Sequence, residues 1–207
     1  PVTGMTGGTY SFTWTVVNGV CSASDVVVVT NSTPSVSNPN TPLAEVCNGN
    51  AVLQGNAPAL GESGLWTGGG ISVIATPSNN ITTVSGMPLG LNTFTWTLTK
   101  GTNVSCTSSN SVTVTNSQVV SSAGVDRTTA CNNFVTLSGN NPTLTQGSGQ
   151  WTDQSATTAT FVNSTLYNTL VNNIRIGTTT FRWTVSQGTC SASDDVVLTN
   201  NQITANA

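Results

Sequence analysis

Apolar and polar residues alternate along several short segments of the chain. In residues 93–99, Phe94 and Trp96 alternate with threonines, and Phe181 and Trp183 alternate with polar residues in the same way. A period of two predicts a strand with one face in the core and the other in solvent. These segments therefore predict half-buried β-strands.

Each predicted strand leads into a glycine turn and a returning strand. The turns are Asn18-Gly19, Lys100-Gly101 and Gln187-Gly188, where glycine supplies a positive φ. A Phe-x-Trp motif precedes each turn, and a further tryptophan stands upstream of two of them. We expect the following aromatic residues to form the core: Phe12, Trp14, Trp66, Phe94, Trp96, Trp151, Phe181 and Trp183.

Landmarks recur along the chain with a period of about 84 residues. The recurring pairs are Cys47 and Cys131, Leu53 and Leu137, Trp66 and Trp151, and Cys106 and Cys190. The period predicts the C-terminal half of a repeat in 1–33, complete repeats in 34–118 and 119–202, and the start of another in 203–207. We therefore expect a window from a longer array, the alternative being strand exchange between short subunits.

About seven short strands per repeat favour an all-β fold of tandem immunoglobulin-like β-sandwich domains arranged as a rod. A jelly roll or a small barrel is the alternative. Composition agrees, since the chain holds 38 Thr, 24 Ser and 24 Asn, and only 5% of its residues are charged. Threonine favours strands, whereas serine and asparagine favour turns.

The same composition excludes several functions. The chain has no histidine, which removes histidine-based acid–base chemistry and histidine metal sites. Four basic residues are too few to follow a phosphate backbone, so we expect no nucleic acid partner. No apolar stretch approaches 18 residues, so this segment predicts no membrane span. We expect no cofactor and no enzyme activity.

The five cysteines occupy two positions of the repeat. Cys47 and Cys131, the front cysteines, precede the first core strand, whereas Cys21, Cys106 and Cys190, the hairpin cysteines, follow the glycine turn. Because Cys47 to Cys106 and Cys131 to Cys190 both span 59 residues, we predict these two disulfides, buried free thiols being the alternative. We expect Cys21 to be unpaired in this segment. Disulfides indicate an oxidising compartment.

Other candidate sites are weak. Asp194 and Asp195 are adjacent in a strand and point to opposite faces, so they cannot act as a pair. Asp126 is predicted to cap a turn, with weak calcium binding at a domain junction as the alternative. Trp66 and Trp151 are predicted core residues, with sugar stacking as the alternative. We expect no catalytic residue and no metal ligand.

The combined motifs resemble a known repeat class. They are Ala123-Gly124-Val125-Asp126-Arg127, Cys131, Leu137-Ser138-Gly139-Asn140-Asn141-Pro142, Gly149-Gln150-Trp151-Thr152, 177–185 and 190–195. These motifs resemble the tandem Ig/PKD-like repeats of giant Bacteroidota surface proteins, including gliding-motility adhesins of the SprB type. The second repeat departs from the pattern, with Pro39-Asn40-Thr41-Pro42 at its opening. The resemblance implies type IX secretion and display on the cell surface, and it transfers no functional residue.

Two functions compete. The first is a structural or adhesive segment of a long extracellular surface protein or filament. Its partners would be neighbouring repeats, other fibre subunits or surface polysaccharide. The alternative is a carbohydrate-binding or spacer module of a large secreted polysaccharide-degrading enzyme, which exposed aromatic residues would favour.

Overall fold

The computed structural model describes residues 1–101, 106–142 and 147–203, and the strands within them are short and numerous. They are β1 (Gly8–Asn18), β2 (Cys21–Asn31), β3 (Glu45–Val46), β4 (Ala51–Gln54), β5 (Glu62–Gly68), β6 (Val73–Ile74), β7 (Ile81–Ser85), β8 (Gly90–Lys100), β9 (Cys106–Asn116), β10 (Arg127–Ala130), β11 (Val135–Thr136), β12 (Ser148–Asp153), β13 (Thr160–Phe161), β14 (Leu170–Asn172), β15 (Gly177–Gln187) and β16 (Cys190–Asn200). No helix in those ranges is long and apolar enough to cross a membrane.

The strands repeat their topology along the chain. In the first set, one sheet has the order β3-β9-β8-β5 and a second sheet the order β4-β7-β6. The next set has the orders β10-β16-β15-β12 and β11-β14-β13, so each strand lies seven places further along. β3 pairs in parallel with β9, and β10 pairs in parallel with β16. The sequence period therefore corresponds to a seven-strand structural repeat.

Buried side chains from both sheets of a set fill the space between them. In the second set, Trp151 of β12, Phe181 and Trp183 of β15, and Leu198 of β16 share one cluster with Val171 of β14. Buried and half-buried residues alternate along β15, as the sequence period requires. The chain is all-β and consists of tandem immunoglobulin-like β-sandwiches.

The chain divides into two compact units. One comprises Pro1–Ala44 and Asn50–Val114, and the other comprises Glu45–Gly49 and Thr115–Ala207. The short segment Glu45–Gly49 thus belongs with residues much further along the chain. It contains the front cysteine Cys47, and its unit also contains Cys190.

The first hairpin differs from its two counterparts. β1 and β2 pair along their whole length but form a sheet of two strands. In contrast, β8 and β15 each have a further strand beside them, which brings Trp66 or Trp151 against the motif tryptophan. Without such a strand, Phe12 is only half-buried and Trp14 is 74% exposed. The prediction that Trp14 lies in the core is wrong.

Candidate functional site

A disulfide joins Cys47 to Cys190 within the second unit. Their Cα atoms are 5.4 Å apart, and 143 residues separate them in sequence. Cys21, Cys106 and Cys131 are free, and of these Cys21 and Cys131 are exposed while Cys106 is half-buried. The bond therefore links the front cysteine of one sequence repeat to the hairpin cysteine of the next.

The expected bridges, Cys47 to Cys106 and Cys131 to Cys190, do not form. Val46 pairs with Asn116, the last residue of β9, whereas Cys106 is the first residue of that strand. Ten residues of extended chain span roughly 33 Å, while bridged Cα atoms lie within about 7 Å of each other. The equal spacing of 59 residues follows from the repetition alone and carries no information about which cysteines meet.

A carboxylate clasps the hairpin beside the disulfide. The backbone N–H of Thr189 donates to Glu45 Oε2 at 3.0 Å, and the Thr189 hydroxyl donates to the same oxygen at 2.6 Å. The Ser117 hydroxyl donates to Glu45 Oε1. Hydrogen bonds from Ser117 and then from Thr189 hold the pKa of Glu45 below its usual value. The hairpin of β15 and β16 is therefore held by a covalent bond and by two charge-assisted hydrogen bonds from Thr189, while Ser117 fixes the other carboxylate oxygen.

Glycine at position 188 leaves room for this contact. Its φ is +55°, in the left-handed region, and a Cβ there would overlap the Glu45 carboxylate. The glycine turn was predicted from the hairpin pattern. The role of Glu45 was missed, because the clasp joins residues 144 positions apart and Glu45 has no acidic counterpart in the next repeat.

Each complete repeat packs two tryptophans against each other. The ring centroids of Trp66 and Trp96 are 5.1 Å apart, and those of Trp151 and Trp183 are 5.0 Å apart, with interplanar angles of 38° and 37°. All four side chains are buried. Offset, tilted packing of this kind is favourable for aromatic rings.

Glycines allow the central tryptophan to fit. A Cβ on Gly149 or Gly139 would collide with the indole of Trp183, whose Nε1 donates to the Asn140 carbonyl at 3.2 Å. The first set is equivalent: Gly64 and Gly55 lie against Trp96, which donates to the Asn56 carbonyl at 3.2 Å. Gly55-Asn56 and Gly139-Asn140 recur at the sequence period, and each pair forms part of the pocket into which the buried tryptophan of its own repeat packs.

The burial of the paired tryptophans overturns the sugar-stacking alternative for them. Trp66 and Trp151 are each 1% exposed, so neither indole face is available to a sugar. Their Nε1 atoms donate to the backbone carbonyls of Asn80 and Leu166 at 3.2 and 3.1 Å. These tryptophans are core residues whose polar atoms are satisfied inside the fold.

Asp126, Asp153 and Asp195 accept hydrogen bonds from residues of the fold. Asp126 accepts from the Val197 N–H at 2.8 Å, and Asp195 forms a bidentate pair with Arg182. Burial raises the pKa of Asp153, but hydrogen bonds from Thr157 and Ser155 outweigh it, and the net shift is downward. Within residues 1–101, 106–142 and 147–203, no group of three or more cysteine or acidic residues is placed to hold a metal ion.

Comparisons with known proteins find likeness in structure only. No family model and no curated protein matches the chain. An E-to-A variant of titin domains I67–I69 is 12% identical, with a TM-score of 0.45 and coverage of 93% of this chain and 75% of the titin fragment. The insect immune protein hemolin is 12% identical, with a TM-score of 0.47 and coverage of 93% and 56%. Extracellular domains 3–5 of Drosophila OTK are 11% identical, with a TM-score of 0.39 and coverage of 91% of this chain and 69% of the OTK fragment. Likeness at this level carries no argument about function.

Proposed function

We propose that the chain is a structural and adhesive repeat segment of a long extracellular surface protein or filament. The observation that carries the proposal is the disulfide between Cys47 and Cys190, which ties one sequence repeat to the next. Such a bond persists in oxidising surroundings outside the reducing cytosol. Repeated sandwiches with a covalent tie suit a protein that must keep its length under tension.

The tie changes how the chain responds to pulling. Force applied at the two ends passes through the disulfide, so the residues between Cys47 and Cys190 are shielded from it. This sequence separation of 143 would otherwise add roughly 470–515 Å of extended chain. Under tension, a stalk with this arrangement extends only by the residues outside the disulfide loop until the bond is reduced.

The polar faces of the hairpins suit an exposed fibre. Neutral hydroxyl pairs bridge neighbouring strands, as between Thr15 and Ser24 at 2.9 Å, and between Thr184 and Ser193 at 2.9 Å. With only 11 charged side chains, hydration depends mainly on hydroxyl and amide groups. Such hydration is insensitive to salt, because screening acts on charges.

Single-molecule extension between handles at the two ends tests the proposal. We expect the oxidised chain to extend by the residues outside the disulfide, and a reductant to release the additional 470–515 Å, to within roughly 10%. Cys47→Ser should behave as the reduced chain without reductant. Cys106→Ser, which changes a free thiol, is the matched control and should behave as the oxidised wild type. Full extension of the oxidised chain at the same force would contradict the proposed role.

Finer features extend the same proposal. The repeat boundaries at 34–118 and 119–202, and arrangement of the sandwiches as a rod, rest on the sequence period. Display through type IX secretion, and a part in gliding motility, rest on the resemblance to Bacteroidota surface repeats. Antibody labelling of intact cells that produce the parent protein tests surface display. Labelling that requires permeabilised cells would contradict it.

A further inference from the structure

The disulfide shows which positions of two consecutive sequence repeats meet. Cys47 is the front cysteine of repeat 34–118, and Cys190 is the hairpin cysteine of repeat 119–202. The bond therefore follows a rule, by which the front cysteine of one repeat joins the hairpin cysteine of the repeat that follows. Cys131 is the front cysteine of 119–202, and it is free and exposed. The same rule assigns Cys131 to the hairpin cysteine of a repeat that follows 119–202.

The backbone holds Cys131 as it holds Cys47. Cys47 directly follows β3, whose last residue pairs in parallel with Asn116 at the end of β9. Cys131 directly follows β10, whose last residue pairs in parallel with Asn200 at the end of β16. Both members of the second arrangement lie 84 positions after their counterparts. Each front cysteine is thus placed at the end of the last strand of its own repeat.

The chain also leaves these two strands through the same turn. The backbone N–H of Gln118 donates to the side-chain oxygen of Asn116 at 3.1 Å, and the backbone N–H of Gln202 donates to that of Asn200 at 2.9 Å. Both asparagines are buried. A hydrogen bond from a backbone N–H to an asparagine two residues earlier fixes a local turn. The chain therefore leaves β16 with the same local geometry with which it leaves β9 toward the next repeat.

The hairpin cysteines have matching backbones. Cys21 and Cys190 each begin a returning strand after a two-residue turn, and the first turn residue is glycine, with φ of +62° at Gly19 and +55° at Gly188. The bonded Cys190 is 2% exposed, whereas the free Cys21 is exposed. The turn that presents a hairpin cysteine is therefore the same in the free and the bonded case. The rule assigns Cys21 and Cys106 to the front cysteines of preceding repeats.

We propose that Cys131 is the attachment point for the hairpin cysteine of the following repeat in the parent protein. Disulfides then join each repeat to the next, so that the tie between Cys47 and Cys190 becomes one of a continuous series. The partner is a hairpin of the same sequence class, with a cysteine directly after a glycine turn. The inference deepens the proposed function, and it rests on that function for the presence of a following repeat and for an oxidising location.

Formation of the bond is an oxidation by a small-molecule disulfide such as oxidised glutathione. The thiolate of Cys131 attacks the small disulfide, forms a mixed disulfide and releases one small thiolate. The thiolate of the hairpin cysteine then attacks the Cys131 sulfur and releases the second. The two protein thiols are oxidised to one disulfide, the small disulfide is reduced, and the two protons pass to the released thiolates.

A chain extended by one repeat tests the pairing. Residues 1–202 are followed by a second copy of 119–202, which places the added hairpin cysteine 143 residues after Cys131, the separation of the observed bond. The front cysteine of the copy is replaced by serine, so the extended chain holds six cysteines, five of its own and one added. After folding in a glutathione redox buffer, we expect two free thiols, those of Cys21 and Cys106, by intact mass after alkylation. Peptide mass spectrometry should show Cys131 bonded to the added cysteine, whose peptide is marked by a Ser191→Thr change in the copy.

Matched variants identify the thiols. In the extended chain, Cys131→Ser should leave three free thiols, because the added cysteine loses its partner. Cys21→Ser, at an exposed hairpin position outside the predicted bond, should leave one free thiol and keep the bond at Cys131. A second extended chain, with 35–118 as the added repeat and its front cysteine replaced in the same way, should again show two free thiols.

Other results overturn the inference. Four free thiols in both extended chains, with glutathione adducts counted as free, would show that the following hairpin does not reach Cys131. An added cysteine bonded to Cys21, Cys47 or Cys106 would contradict the rule. Circular dichroism checks that the added repeat is folded, and if one added repeat does not fold, the other extended chain decides. The extension experiment tests the tie at Cys47 separately, so that failure of the proposed function and failure of the pairing at Cys131 can be told apart.

Discussion

Burial separates the three tryptophans of the repeated Phe-x-Trp motif. Trp96 and Trp183 are 0% exposed and donate from Nε1 to a backbone carbonyl, whereas Trp14 is 74% exposed. The same Phe-x-Trp motif therefore occupies two environments. The difference lies in the strands that each hairpin has beside it.

Alanine substitution should reproduce that difference. We expect Trp96→Ala to lower the free energy of unfolding by about 3–5 kcal/mol, because it empties a close-packed pocket. Trp14→Ala and Thr95→Ala, at exposed or half-exposed positions of equivalent strands, should each change it by about 0.5 kcal/mol or less. Denaturant titration followed by circular dichroism measures all three. Equal losses at Trp14 and Trp96 would refute the burial of Trp96 or the exposure of Trp14.

At the scale of elements, the short strand β3 and the hairpin of β15 and β16 are joined by Glu45. The carboxylate accepts from Ser117 and Thr189, and its pKa is lowered in the fold. A lowered pKa means that the folded state is more stable with Glu45 ionised than with Glu45 protonated. The resulting stability is present above the unfolded pKa of about 4.3 and is lost as the pH falls through the folded pKa.

Glu45→Gln should therefore destabilise the protein in a pH-dependent way. The variant should melt below the wild type near neutral pH, and the difference should shrink as the pH falls through the lowered folded pKa of Glu45. Asp25→Asn is the control, since Asp25 is exposed and accepts from the adjacent Val26 N–H. It should melt close to the wild type. A melting difference for Glu45→Gln that is constant with pH would contradict the role of its charge.

The elements themselves were largely accessible from the sequence. The alternation around Phe94 and Phe181 predicted β8 and β15, and the glycine turns predicted where the returning strands begin. The pairing of the cysteines could not be predicted from the sequence, because repetition alone makes Cys47 to Cys106 and Cys131 to Cys190 equally far apart. The parallel pairing of β3 with β9 places Cys47 near the last residue of β9, whereas Cys106 is the first residue of β9. The Phe-x-Trp motif does not by itself distinguish Trp14 from Trp96 and Trp183, since a motif does not specify its neighbours.

At the scale of the whole molecule, one covalent loop spans most of the sequence. Closing a loop of 143 residues stabilises the folded state by about 5 kcal/mol in the chain-entropy model, through restriction of the unfolded chain. The sandwiches on their own are modest in size, and such domains have net stabilities of roughly 5–15 kcal/mol. The disulfide is therefore a large share of the stability available. Reduction should lower the melting temperature of the second unit.

The covalent loop also determines what a single peptide-bond cleavage does to the chain. Leu60 and Ile71 are exposed and lie inside the loop, whereas Val20 and Ile203 are exposed and lie outside it. A protease that cuts before large apolar residues should leave the two pieces joined after a cut at Leu60, and should release a fragment after a cut at Val20. Comparison of non-reducing with reducing gels after limited digestion measures this. Cuts inside the loop therefore leave the pieces covalently joined, and only cuts outside Cys47–Cys190 separate them.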